Sequence, residues 1–228
     1  MKYHYSLQKK LRKNRKFLLI IPVILIASTA FVFFVFSNIF GNDLGYLIGF
    51  SFYYFVWCYS IPILMLGKEG FVSLFTEMNP LFTRKNWYLI LIFSLLVIGT
   101  LMMYLIPVIN DATIPLILLA LPIAVIHGIG EEALWRGLYV KNFPKNLFLG
   151  IIFPTITFAL WHLSPQIIYS AENGIFNFLL STFFLGLSYS IIAYKTGSIK
   201  WVALLHIIGS LLALGQPITT SILSVLGI

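Results

Sequence analysis

The chain has 228 residues, 60% of them apolar and 10% charged, with fifteen lysines and arginines against seven acidic residues. An ordinary soluble domain is roughly 45–50% apolar and about 25% charged, so water-soluble enzyme folds, disordered linkers and disulfide scaffolds are excluded. The single cysteine, Cys58, forms no internal bridge and is too isolated for a metal knuckle; the composition predicts an all-α polytopic membrane protein.

A membrane helix needs about 20 mostly apolar residues. A basic arm, residues 1–16, carries seven of the fifteen basic side chains and leads into a first span at residues 17–37. Ser28-Thr29-Ala30 resembles a signal-peptide cleavage site, but the apolar run continues through Phe36, too long for the apolar region of such a peptide, and is assigned as a span. Beside a span, the arm's plainer role is to hold the cytoplasmic side and touch anionic lipid, not to bind nucleic acid. Spans at 44–66 and 87–109 complete an amino-terminal unit of three helices, residues 17–109. The core, residues 110–215, holds spans at 114–140, 146–163 with an extension toward Ile168, 175–194 and 201–214. The tail, residues 216–228, opens with Gln216-Pro217; it is too short to span and is expected at the interface or dipping back into the protein.

The charges test this count independently. The first, third and fifth connections carry Asp43, Asp111 and Glu172 and no basic residue. The second, fourth and sixth carry Lys68, Arg84 and Lys85, then Lys141 and Lys145, then Lys195 and Lys200. That is the positive-inside bias and predicts seven spans, with the amino end in the cytosol and the carboxyl end outside.

Ionisable side chains inside a membrane cost roughly 2.5–3.5 kcal/mol each on insertion scales, so those present call for a purpose. The fourth predicted span holds His127, Glu131, Glu132 and Arg136 in HGIGEEALWRG, the fifth His162, and the seventh His206. Glu132 and Arg136 are four apart and share a helix face, which suits an ion pair that offsets its own insertion cost. Glu131 is rotated by about 100° and shares its face with His127 and Trp135. Glu131 is therefore the better general base, with Glu132 a structural acid; His127 by itself suits packing or support around the site.

At about 1.5 Å per residue, Glu131 lies about 15 Å from Lys141 and His206 about 9 Å from Lys200, whereas His162 lies about 25 Å from Lys145. The first two depths agree. His162 is expected too deep unless its span starts outside the hydrocarbon or tilts, as Pro144 and Pro154 permit. If the three side chains meet, a carboxylate can deprotonate water while imidazoles stabilise the oxyanion or protonate the leaving amine. Equally, Glu131, His162 and His206 could hold zinc and its bound water, although no HExxH motif is present. No GxSxG motif is present either, and Cys58 lies in an aromatic stretch with no base beside it. The same charges would also serve a proton-coupled transporter or a non-catalytic helix-to-helix scaffold.

Glu131-Glu132-Ala133-Leu134-Trp135-Arg136 matches an EExxxR motif, Phe158-Ala159-Leu160-Trp161-His162 matches FxxxH, and His206 follows in a later helix. In order, spacing and placement on separate spans, the stretch from about residue 114 to 214 resembles the CAAX protease and bacteriocin-processing (CPBP, or Abi) family of intramembrane proteases. The resemblance implies membrane helices enclosing a polar cavity. Glu131 would be the water-activating glutamate, Glu132 and Arg136 its supporting pair, His162 and His206 would line the cavity, and Phe158 would pack beside His162. Eukaryotic members cut prenylated proteins after a modified cysteine, while bacterial members resemble processing or self-immunity proteins for bacteriocin peptides. The implied partners are a membrane-anchored protein or hydrophobic peptide substrate and membrane lipid. The family is classed with metalloproteases, but its mechanism is similar to that of a metal-free glutamate protease; the metal-free version is favoured here, with zinc as the alternative. One position departs from the pattern: Ser210 stands four residues after His206, where the family usually has asparagine or another hydrogen-bonding acid or amide. A hydroxyl there can still donate or hold a water, but it is shorter and has one hydrogen to give.

Overall fold

The computed structural model describes residues 2–106, 113–213 and 217–227, with side chains from Arg15 onward except Tyr104 and Leu105. Ile109 and Asp111 of the expected third span and third connection, Leu214 at the expected end of the seventh span, and Gln216 of the tail lie outside the described residues. The described structure is helical throughout. In chain order the helices are α1 (Lys2–Phe40), α2 (Asn42–Phe75), α3 (Arg84–Met103), α4 (Ile114–Asn142), α5 (Phe148–Ile167), α6 (Ile175–Thr196), α7 (Lys200–Leu212) and α8 (Pro217–Leu226).

Among the described residues, six helices are long and apolar enough to cross a membrane; α7 and α8, bent by 50° at a break, pass the same test only together, as a broken span or a re-entrant loop. Large apolar side chains such as Phe31, Phe55, Leu64 and Phe176 are exposed, as lipid-facing residues are. The chain is thus a multi-pass, all-α membrane protein. Several helices are locally wound as π-turns, at Tyr53–Ser60 in α2, Ala133–Gly137 in α4 and Phe148–Ile152 in α5. Such turns shift side chains relative to a regular helix and are frequent at functional sites. Gly67, at φ +75°, breaks α2 near its end, a conformation glycine adopts without steric cost.

The contacts at the helix ends sort the connections into two groups. At one end, the Met78 and Asn79 amides donate to Thr196 O, Ile199 N donates to Leu74 O, and Tyr194 donates to Pro144 O at 2.8 Å. Arg15 Nε joins them, donating to Asn142 O at 2.8 Å. The second, fourth and sixth connections therefore share an end with the start of the first span, and these are the basic ones. At the other end Asp43 accepts hydrogen bonds from Tyr169 (2.6 Å), Ser221 (2.8 Å) and Ser224 (2.7 Å). Burial, and then this bond to Asp43, raises the Tyr169 phenol above its usual range. The clasp also settles where the tail goes. It packs back on α2 as helix α8, with Ile218, Thr219 and Ser221 buried.

A largely aromatic core lies between α1, α2, α4 and α5, and a second, more aliphatic one lies among α2, α3, α4, α6 and α7. Two glycines just before the acidic pair let α4 sit between neighbours. A Cβ on Gly128 would meet Ile207 N of α7 at 2.8 Å, and one on Gly130 would meet Tyr59 of α2 at 2.8 Å and the Cys58 Cβ at 3.0 Å. Tyr59 then staples α2 to α4 by donating to Ile126 O at 2.7 Å. Close approach through small residues is the usual way membrane helices pack when burial from water cannot drive them together.

The Asp43 clasp gives a stability prediction. Asp43→Ala removes three hydroxyl-to-carboxylate bonds at a half-exposed site, each worth about 1 kcal/mol. Thermal unfolding in detergent should show a drop of a few degrees while the Glu131 end of α4 keeps its protection in hydrogen exchange.

Candidate active site

The acidic pair sits where α4 passes from regular helix into its π-turn. Glu131 and Glu132 are fully buried and Arg136 is 1% exposed. Charges this deep must be paired to be tolerable, and the structure shows how. Arg136 Nη1 donates to Glu132 Oε1 at 3.0 Å, as the i,i+4 spacing predicts. The same oxygen accepts a second bond, from His206 Nδ1 at 2.8 Å. Glu132 therefore joins α4 to α7 and orients an imidazole, a role that its spacing to Arg136 alone does not reveal. The rest of the guanidinium is held by aromatic faces, with Phe158 of α5 at 4.1 Å and Tyr189 of α6 at 5.7 Å. A Cβ on Gly186 would come within 2.9 Å of Arg136 Nη2, so α6 presents its smallest residue to the cation.

Glu131 has a different environment. His127 Nε2 lies 3.3 Å and His206 Nε2 3.7 Å from Glu131 Oε2, yet neither carboxylate oxygen has an aligned hydrogen bond. The rings of His127 and His206 approach to 4.8 Å between centroids. Glu131 is thus charge-compensated but not saturated.

His162 follows the α-helical part of α5, which ends at Trp161, and lies within electrostatic range of Glu131, His127 and His206, despite the depth expected from counting along a regular helix. Its Nδ1 bonds Phe158 O at 2.8 Å. A carbonyl only accepts, so the proton sits on Nδ1 and Nε2 is the basic nitrogen. Phe158 packs its ring against His162 at 4.6 Å and Trp135 at 5.8 Å while cradling Arg136. Ser210, one turn beyond His206, is half-buried and makes no hydrogen bond among the described residues.

The ligand atoms close enough to share one metal ion come from His127, Glu131 and His206, all within 4.8 Å of one another. His162 is not in that group, and His127, assigned only support around the site from its sequence position, is. The unsatisfied buried carboxylate oxygens and the two Nε2 atoms beside them suit the two-histidine, one-carboxylate donor set of zinc sites, and the Glu132 bond to His206 Nδ1 is the outer contact such ligands usually have.

Helix α2 contributes a wall that carries no charge. Tyr53 accepts from Trp135 Nε1 at 2.8 Å and stacks on Trp161 with centroids 3.8 Å apart, and Tyr54 meets the His127 ring at 5.7 Å. No acidic, basic or histidine side chain marks the Tyr53–Ser60 stretch of this helix in the sequence; its only signal was a run of aromatic residues around Cys58.

The pairing predicts a specific energetic pattern. Arg136→Met leaves the Glu132 charge buried with only an imidazole beside it and should cost about 3–5 kcal/mol. The double variant Arg136→Met, Glu132→Gln removes both charges and should recover most of that loss. Reversible unfolding of the two variants in mixed micelles measures the difference.

Residues 113–212 match the family model described as type II CAAX prenyl endopeptidase Rce1-like. The match spans α4 to α7, the helices that carry His127, Glu131, Glu132, Arg136, His162 and His206, and the resemblance seen in the motifs holds over that stretch. No curated protein and no solved structure matches the chain.

Proposed function

We propose that this membrane protein, whose core matches a family of prenyl endopeptidases, hydrolyses a peptide bond in a membrane-anchored protein or hydrophobic peptide. The observation that carries the proposal is Glu131: a fully buried carboxylate, flanked by two imidazoles and within range of a third, with both oxygens free of hydrogen bonds.

Glu131 takes a proton from a water molecule, and the resulting hydroxide adds to the scissile carbonyl. His162, fixed with Nε2 as acceptor, holds the water's second hydrogen or receives the proton on its way to the leaving amine. His206 turns Nε2 toward Glu131 because Glu132 holds its Nδ1, and Arg136 keeps Glu132 ionised. His127 stands beside His206 against the same Glu131 oxygen and stabilises its charge before the water is deprotonated. The basic connections mark the cytosolic side, which puts the amino end there and the Asp43 clasp outside. Prenylated proteins and bacteriocin-like peptides both present a short extended chain beside a hydrophobic anchor, and the same site chemistry serves either.

A second version of the reaction is favoured by one observation, the convergence of His127, Glu131 and His206 on one point. Those three residues would hold the ion. A bound zinc supplies an acidified water and polarises a carbonyl oxygen. In that version Glu132 still fixes His206, and His162 remains the proton-handling group outside the ligand set.

Glu131→Gln should abolish cleavage of a reporter peptide in proteoliposomes without changing the melting temperature; cleavage at the parent rate would contradict the role of Glu131. Elemental analysis of the purified protein separates the two versions. The metal-free version predicts well under one equivalent of bound metal and cleavage that survives chelator treatment, and the zinc version predicts one equivalent and loss of cleavage.

A further inference from the structure

Two of the three imidazoles at the site are tied to the acidic pair directly. His206 is bonded to Glu132, the residue next to Glu131, and His127 stands one turn before Glu131 on the same helix. His162 is held differently. Its Nδ1 bond goes to Phe158 O of its own helix, and no hydrogen bond or ion pair ties its ring to α4 among the described residues. The rings around it are Phe158 and Trp161 of α5 and Phe178 of α6. Where His162 stands relative to Glu131 is therefore set by how these rings seat α5 against α4.

One seat is Phe158, which lies against Trp135 and Arg136 of α4. Another runs through α2. Tyr53 is fully buried, and its hydroxyl accepts from Trp135 Nε1 at 2.8 Å, one helical turn past Glu131. The Cys58 thiol lies beside the same hydroxyl. On its other side the Tyr53 ring stacks on Trp161, with centroids 3.8 Å and planes 16° apart. Trp161 immediately precedes His162, and its ring meets the imidazole edge-on at 4.8 Å. Trp161 has no polar anchor of its own, because its Nε1 is buried without a partner. Ring contacts alone orient it, and such contacts have preferred geometries. The Tyr53 stack is much closer than the contact with Phe50 at 6.0 Å.

We infer that Tyr53 is a positioning residue for the hydrolysis proposed above: bonded to Trp135 one turn from Glu131 and stacked on the neighbour of His162, it sets the imidazole relative to the water-activating carboxylate. The inference rests on that proposal, in which Glu131 and His162 handle the same water. Both legs of the bracket are needed, the hydroxyl toward α4 and the ring face toward α5. The residue belongs to the amino-terminal unit, outside residues 113–212 that match the family model, yet it governs the spacing of two residues inside them. A misplacement of about 1 Å between reacting groups costs about 10²-fold in rate. His162 acts on the proton and not on substrate binding, so the loss falls on kcat and spares KM.

The test uses the full-length protein in proteoliposomes with a fluorogenic farnesylated peptide bearing a CAAX carboxyl terminus, assayed below the melting temperature of every variant. Wild type, Glu131→Gln, Tyr53→Leu and Tyr53→Phe are compared for kcat and KM. Tyr53→Leu removes both legs and lowers kcat by about 10²-fold with KM unchanged. Tyr53→Phe keeps the stack, loses the bond to Trp135 and lowers kcat by about tenfold, for a smaller displacement; it carries the test if Tyr53→Leu does not fold. Histidine labelled with nitrogen-15 supplies a readout that general loosening would not give. The His162 ring signals, assigned by their loss in His162→Gln, shift in both Tyr53 variants, while those of His206, held by Glu132, stay in place. A kcat at the wild-type value in the folded variants overturns the inference. So does a fall in kcat with the His162 signals unmoved, or with the His206 signals moving equally. If Glu131→Gln is inactive while the Tyr53 variants are unimpaired, only the role of Tyr53 falls. If wild type and Glu131→Gln are equally inert, the hydrolytic proposal falls and takes the Tyr53 role with it.

Discussion

One oxygen atom, Glu132 Oε1, holds the second half of the molecule in register. It accepts from Arg136 on its own helix and from His206 on α7, and Arg136 extends the connection to Phe158 on α5 and Tyr189 on α6. Four helices thus meet at one buried carboxylate and its counter-ion. In lipid the hydrophobic effect does little to choose between one helix packing and another, so polar contacts and close packing carry much of that choice. A fully buried ion pair adds little net stability over an apolar substitute, but losing one partner is severe. That asymmetry makes the Glu132–Arg136 pair a strict constraint on where α5, α6 and α7 can sit.

The two glutamates, adjacent in sequence and alike in chemistry, are separated in function by their surroundings. Glu132 is committed to the scaffold through Oε1. Glu131, one residue earlier, faces imidazoles that compensate its charge without aligned hydrogen bonds. Leaving buried acceptors unsatisfied costs about 1–3 kcal/mol per group, a cost that packing at Gly128 and Gly130 and the aromatic core around Trp135 and Trp161 must offset. Strain of this kind collects at sites where a guest completes the bonding.

Much of this was legible in the sequence. Apolar run lengths and the distribution of lysine and arginine gave the helices and their pairing of ends, because both follow from the bilayer's thickness and charge. The i,i+4 spacing gave the Glu132–Arg136 pair, and the shared face of His127 and Glu131 appears in the structure as a 3.3 Å approach. The bond from His206 to Glu132 was not legible, since it joins residues 74 positions apart and depends on how closely Gly128 lets α7 approach. The bond from Trp135 to Tyr53 was hidden for a different reason. A neutral aromatic in an apolar span has no signature of function, and the π-turn that carries it changes the residue-to-face relation on which regular helical spacing relies. The same departure from regular winding, at Phe148–Ile152, lies in the helix where counting residues placed His162 too deep. The tail's return onto α2 depends on hydroxyls of Ser221 and Ser224 finding Asp43 across the molecule, a tertiary match with no local pattern.

The central claim is that Glu131 activates a water molecule and does not itself attack the peptide. Isotope transfer tests it most directly. In a single turnover with enzyme in excess and the solvent enriched in oxygen-18, the account predicts one labelled oxygen in the new carboxyl group of the product, and none in Glu131. An unlabelled product carboxylate in that first turnover, with the label appearing in the Glu131 side chain, would show that the glutamate attacks as a nucleophile and would contradict the account.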